Sequence, residues 1–168
     1  MKRRLVVLRH AKSDWPAGVA DHDRPLGRRG VRDSAAAGRW LVEHQDTPEL
    51  VWCSTALRTR QTWEQVEAAL DGPCKVNFED RVYDAGVDDL VQVLRQTPKK
   101  TGTVLLVGHN PGVQDLVLAL ADRASGDARA LAETKFPTSG LAVLDLDGEW
   151  GDLGHGHANL TAFVVPRG

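Results

Sequence analysis

Hydrophobic residues in this chain fall into short unbroken runs, separated by longer stretches in which apolar positions recur every three or four residues. Leu5-Val6-Val7-Leu8 is one such run, rich in β-branched side chains and of the length of a buried strand. Leu50-Val51-Trp52-Cys53, Lys75 to Phe78 and Val104-Leu105-Leu106-Val107 read the same way. Between the runs the period changes. Val31, Ala35, Gly38, Leu41 and Val42 share one helical face, as do Trp63, Val66, Ala69 and Leu70 before the Gly72-Pro73 stop signal. Val87, Leu90, Val91 and Leu94 mark a helix closed by Pro98. Val113, Leu116, Val117 and Leu120 mark a fourth, with Asn110 expected as its N-cap and Pro111 as its first residue. Arg123 to Ser139 has no regular period. Leu141 to Leu146 and Asn159 to Val165 predict two closing strands, joined through an Asp147-Gly148 turn and a glycine-rich stretch.

Strands alternating with helices predict an α/β fold. The expected form is a three-layer α/β/α sandwich with a mostly parallel sheet and an antiparallel C-terminal edge. No linker, repeat or low-complexity tract interrupts it, so residues 1–168 are expected to form a single domain. With 42% hydrophobic and 26% charged residues the composition excludes a disordered chain. The 21 basic and 23 acidic side chains leave a net charge of −2, which gives no general footprint for nucleic acid. Any anion site must be local.

Cys53 and Cys74 form no CxxC pair, so neither a disulfide scaffold nor a four-thiolate zinc site is available, and free thiols suit a reducing compartment. The basic start Met1-Lys2-Arg3-Arg4 precedes an apolar run that stops at Leu8, too short for a signal peptide. No stretch approaches the roughly 18 apolar residues of a membrane span. The expectation is a cytoplasmic protein with no membrane partner.

The informative fact is where the reactive residues fall. Arg9-His10 follows the first strand run, Ser54-Thr55-Ala56-Leu57-Arg58 the second and Gly108-His109 the fourth. Open α/β sheets bind ligands at the carboxyl ends of their strands, so Arg9, His10, Arg58 and His109 should converge on one sheet edge. A lone histidine after a strand is usually structural; two with two arginines point to chemistry. Guanidinium forks match phosphoryl oxygens, and a helix opening near Asn110-Pro111 turns its positive end toward an anion. An imidazole can attack phosphorus and split one displacement into two.

Leu8-Arg9-His10-Ala11-Lys12-Ser13-Asp14-Trp15, Ser54 to Thr62 and Gly108-His109-Asn110-Pro111 together resemble the histidine phosphatase superfamily, whose fold is called phosphoglycerate mutase-like. Within it, Arg-His-Ala-Lys-Ser and Asp23-Arg24-Pro25-Leu26 are most similar to the SixA-type phosphohistidine phosphatases. The resemblance implies that His10 is the nucleophile and that Arg9, Arg58 and His109 complete a phosphate pocket. It also implies phosphate contacts from Ser13 and from the Asn110 backbone, with no metal and no cofactor. Relatives carry a Glu as proton donor; the nearest match is Val82-Tyr83-Asp84, which makes Asp84 the candidate acid. To serve an alkoxide leaving group, Asp84 needs its pKa raised by burial or like charge. An imidazole leaving group needs less help. Ala11 stands where many relatives have Gly, a small departure.

Competing motifs are weaker. Cys53 and Arg58 are one residue short of a Cys-x5-Arg phosphate loop, which leaves Cys53 as a core thiol. Asp145-Leu146-Asp147-Gly148 opens like a Mg²⁺-dependent phosphatase motif, but too little chain follows, and a turn is the simpler account. His155-Gly156-His157 has no completing ligand and reads as an exposed loop. The Gly27-Arg28-Arg29-Gly30 run with Arg32 is a basic patch, either a solvated helix start or a surface facing a phosphorylated or acidic partner. The function expected is a metal-independent phosphatase acting on protein phosphohistidine. The alternatives are a phosphatase of a small phosphate ester and a non-catalytic phosphate-binding module.

Overall fold

A computed structural model describes residues 1–168. Its sheet has seven strands: β1 (Arg3–Arg9), β2 (Leu50–Ser54), β3 (Lys75–Glu79), β4 (Thr103–Gly108), β5 (Ala121–Ala124), β6 (Leu141–Leu146) and β7 (Ala158–Val164). Five helices accompany them: α1 (Arg28–Glu43), α2 (Leu57–Ala69), α3 (Val87–Arg95), α4 (Gly112–Leu120) and α5 (Ala128–Thr134). The strands lie in the order β3-β2-β4-β1-β6-β7-β5. β1, β4, β2 and β3 pair in parallel, while β6 runs antiparallel to both β1 and β7. This is the expected α/β architecture, mostly parallel with an antiparallel C-terminal side.

The alternation of side chains along each buried strand divides the interior into two cores. Leu5 and Val7 of β1, with Val104 and Leu106 of β4, face α3, α4 and α5. Val6 and Leu8, with Leu105 and Val107, face α1 and α2. All eight are fully buried, which is why these strands read as continuous apolar runs rather than as alternating ones. Fully burying such a side chain contributes about 1.5–3 kcal/mol.

Two elements were not expected. β5 adds to β7 in parallel at the outer edge, with three of its four residues exposed, so no apolar signal marks it. α5 buries only Ala128 and Ala132. One boundary also needs correction. α4 begins at Gly112 with Pro111 as its N-cap, rather than at Pro111 with Asn110 as the cap. The Asn110 side chain is occupied elsewhere, donating from Nδ2 to Phe136 O at 3.1 Å.

The loop between β1 and α1 is closed at its base. Ser13 bridges Leu26, Asp14 N–H donates to Pro25 O, and Gly27 N–H donates to Lys12 O. α1 lies so close beneath that a Cβ on Gly30 would sit 2.1 Å from Lys12 O. A backbone oxygen has little room to yield, so Gly30→Ala is expected to destabilise the protein by about 1–3 kcal/mol through overpacking. Urea unfolding of the variant measures this. A midpoint equal to the wild type's would mean that the loop moves freely over α1.

Candidate active site

β1, β4 and β2 lie side by side and end at one edge of the sheet, β4 being inserted between two strands that precede it in sequence. Three strand ends therefore place Arg9-His10, His109 and Ser54 together, with Arg58 in the first turn of α2. The backbone of His10 is clamped on two sides: its N–H donates to Gly108 O, and its carbonyl accepts from Ser139 N–H. Thr62 Oγ1 accepts from Ala11 N–H and donates to Arg58 O, tying the His10 turn to the helix that carries Arg58.

The protonation of both imidazoles follows from their partners. His10 Nδ1 lies 2.8 Å from Ala11 O. A carbonyl only accepts, so the hydrogen belongs on Nδ1 and the lone pair on Nε2. Burial pushes the His10 pKa down to about 4, against the Ala11 hydrogen bond and with help from Arg58, Arg9 and Arg24. His109 Nε2 is 2.8 Å from Ser54 Oγ, which also accepts from Ala56 N–H. This contact between the Ser54 hydroxyl and Nε2 fixes the orientation of the His109 ring. Burial, then His10 and Arg58, push the His109 pKa down to about 3. Both rings are neutral at pH 7, their centroids 5.2 Å apart.

Five buried side-chain polar atoms in the protein have no hydrogen-bond partner, and four of them are Arg9 Nε, Arg58 Nε, His109 Nδ1 and Asn110 Oδ1. Leaving such a group unpaired costs about 1–3 kcal/mol, so clustering them is sensible only where a ligand satisfies them. Burial, and then the charge of Arg58, lower the Arg9 pKa. Arginine stays cationic at neutral pH regardless, and Arg9, unlike Arg58, has no carboxylate within salt-bridge distance, so its charge is offered to an anion.

Two adjoining cavities share Arg58, His109 and Asn110. One, of about 280 Å³, holds His10, Arg9, Ser13 and Arg24, with exposed Trp15 at its mouth. The other, of about 230 Å³, holds Asp21, Tyr83 and Asp84. The structure thus brings together Arg9, His10, Ser13, Arg58, His109 and Asn110, and puts Asp84 on the rim. Ser13 Oγ accepts from Arg24 Nη2 at 2.5 Å, and the Arg24 guanidinium carbon lies 3.2 Å over the centre of Trp15. Asp84 is exposed at the rim.

Asp21 escaped the sequence reading. It sits in a short 3-10 turn, Asp21–Asp23, and its carboxylate accepts from Tyr83 Oη at 2.6 Å, Arg24 Nη1 at 2.9 Å and Arg58 Nη2 at 3.1 Å. Its carbonyl takes the remaining terminal nitrogen of Arg58 at 2.7 Å. Tyr83 first, then the two arginines, hold the Asp21 carboxyl well below the usual carboxylate range. Nothing local in Asp21-His22-Asp23 marks it, because Tyr83 is 62 positions away. Ser54 was findable: it ends a strand at the same sheet edge as the histidines.

A model of the histidine phosphatase superfamily, branch 1, matches residues 5–90. This chain belongs to that superfamily. An uncharacterized protein of Mycobacterium tuberculosis is 42% identical over 163 residues, covering 95% of this chain and all of its own. A Nakamurella multipartitia structure with the provisional name phosphohistidine phosphatase SixA superposes with TM-score 0.88 at 34% identity, covering 99% of this chain and 97% of its own. The protein histidine phosphatase SixA complexed with tungstate superposes with TM-score 0.79 at 25% identity, covering 97% of each chain. No helix of this chain is long and apolar enough to cross a membrane. No group of three or more His, Cys, Asp or Glu side chains is arranged to hold a metal ion, and His155 and His157 lie in an exposed loop.

Cys53 is fully buried, and burial drives its thiol pKa far up, while the Cys74 thiol is pushed up to about 11. Neither supplies thiolate at neutral pH.

Proposed function

We propose that this protein is a metal-independent phosphohistidine phosphatase, a single domain over 1–168 acting in the cytoplasm on phosphorylated protein. His10 Nε2 attacks phosphorus, the bond from phosphorus to the substrate imidazole breaks, and its electron pair stays on that nitrogen. A substrate ring protonated on its other nitrogen leaves as neutral imidazole. Water then attacks phospho-His10, the P–Nε2 bond breaks, the pair returns to Nε2, and the proton of water passes to solvent with the released phosphate. Arg9, Arg58, Ser13, His109 and the Asn110 backbone hold the phosphoryl group, their charge and N–H groups set before it arrives.

One observation carries the choice of substrate. Asp21 and Asp84 are the only carboxyl groups lining the two cavities. Asp21 is held as a carboxylate by Tyr83, Arg24 and Arg58, and Asp84 is exposed. Asp21 is not built to hand a proton to an alkoxide, and Asp84 can do so only from the exposed rim, whereas a protonated imidazole needs no such donor. Asp84 assists ester leaving groups only, from the rim.

The test compares Asp84→Asn with the wild type on a phosphohistidine protein and on an alkyl phosphate ester, whose alkoxide leaving group needs a proton. Phosphohistidine hydrolysis is expected to persist within about twofold while monoesterase activity falls about 10-fold or more, the low end of what an acid–base group contributes. Equal loss on both substrates would refute the assignment of Asp84. Wild-type preference for the ester would overturn the substrate.

The pH profile gives a second check. With the free His10 titrating at about 4, kcat/KM for p-nitrophenyl phosphate should show no break near the ordinary histidine value on the acid side. Stability moves differently. Both histidine pKa values are lower in the folded state, about 4 and about 3, than the ordinary value of about 6.5 in the unfolded chain. Between about pH 6.5 and pH 4 the unfolded chain therefore binds more protons, and Tm should fall as pH is lowered across that window. An activity break near pH 6.5 would place the titration of His10 wrongly.

A further inference from the structure

The basic run at the start of α1, which the phosphate pocket does not use, lies beside that pocket. A third cavity, of about 270 Å³, has no hydrophobic lining and is walled by Arg9, Lys12, Arg29, Lys135, Thr138 and Arg167. It shares Arg9, Lys12 and Thr138 with the cavity holding His10. The connection is also direct: Arg9 Nη1 donates to Phe136 O at 3.0 Å, one residue beyond exposed Lys135.

Five cations meet one carboxylate there. Asp33, buried in α1, pairs with Arg29 at 3.3 Å and with Arg167 at 3.3 Å. Arg9, Lys12 and Lys135 have no acidic partner within salt-bridge distance, in a protein whose net charge is −2. The opposite arm of the groove carries Asp21 and Asp84. The three linked cavities form one groove, acidic at one end and basic at the other, with His10 between.

We propose that this basic trough is a docking surface for acidic residues that flank the phosphohistidine of the protein substrate. The inference rests on the proposed substrate class and deepens it. A compact phosphate ester fills the cavity at His10 alone. An extended segment advances about 3.3–3.6 Å per residue and reaches the trough within a few residues of its phosphorylated histidine. Its acidic side chains then meet Arg29 and Lys135, whose exposed charges favour encounter and set register.

Lys135→Glu and Arg29→Gln test this, since neither side chain belongs to the phosphate pocket and Asp33 keeps Arg167 when Arg29 is changed. Two phosphohistidine peptides, one with acidic and one with neutral flanks, serve as substrates. Lys135→Glu should raise KM for the acidic peptide about 10-fold, with kcat and the neutral peptide unchanged. Arg29→Gln should do the same more weakly, and added salt should erase the preference in the wild type. Equal changes for both peptides, or a parallel loss on p-nitrophenyl phosphate, would overturn the trough.

Docking is read apart from cleavage by using the unphosphorylated acidic peptide to inhibit p-nitrophenyl phosphate hydrolysis. Inhibition that weakens in Lys135→Glu supports the trough even where no phosphohistidine is cleaved, in which case only the substrate reading falls. No inhibition by the peptide, together with Lys135-dependent hydrolysis of a small bisphosphate, would give the trough to a metabolite and overturn a protein occupant.

Discussion

His10→Ala is expected to lower phosphate release by about 10⁴–10⁶-fold on every substrate, the range seen when a covalent nucleophile is removed. The remaining groups still bind an anion, but no other side chain in the cavity replaces the imidazole. Guanidinium and ammonium groups offer no lone pair for attack, and His109 Nε2 is engaged with Ser54 Oγ at 2.8 Å. The fold should survive, because the contacts that hold position 10 to Gly108 and Ser139 are main-chain. Removing a ring kept neutral by burial also removes a source of acid sensitivity, so the variant should lose less Tm between about pH 6.5 and pH 4. Phosphate release assayed in EDTA checks the rate, and circular dichroism checks the fold. Wild-type phosphoenzyme should be labile in acid and absent from the variant. A folded variant keeping more than about 1% of activity would discard the covalent route.

Arg58→Ala is expected to lower kcat by about 10²–10³-fold, as loss of one preorganised donor to a developing charge does. Arg58 does two things. Its Nε is buried and unpartnered toward the site, while both terminal nitrogens are fixed on Asp21. The side chain thus arrives already oriented, and a lysine, lacking the fork, should recover little of the loss. A second readout separates this from simple misfolding. The charge of Arg58 helps to keep both histidines deprotonated, so its removal should raise their pKa values and move the acid limb of kcat/KM upward. A fall in rate with an unmoved limb would mean that Arg58 acts only through the turn that it holds.

The strands at the centre were legible because burial on both faces writes itself as unbroken apolar runs. The histidines and arginines were legible because each directly follows such a run or opens the helix after it. Legibility failed where structure depends on partners distant in the chain. β5 is an exposed edge strand whose pairing comes from the backbone of β7, and α5 rests on two alanines. Asp21 acquires its place from Tyr83, Arg24 and Arg58, a network that no local spacing announces. Asp84 lines the same cavity as Asp21 and Tyr83. The sequence could not say that the chain turns there with a positive φ of 53° and leaves the carboxyl in solvent. The basic patch stayed ambiguous for the same reason, since only the folded loop before β6 carries Lys135 to Arg29.

Cys53 stands five residues before Arg58, near enough to mimic a thiol-based phosphatase, yet its sulfur is sealed in the core behind β2. Peroxide and alkylating reagents attack thiolates, and this interior has none to offer. Imidazole is inert to the same mild oxidants. On the proposed route through His10, catalysis is expected to run independently of the surrounding redox balance, and a burst of peroxide that silences cysteine-dependent phosphatases should leave this one turning over.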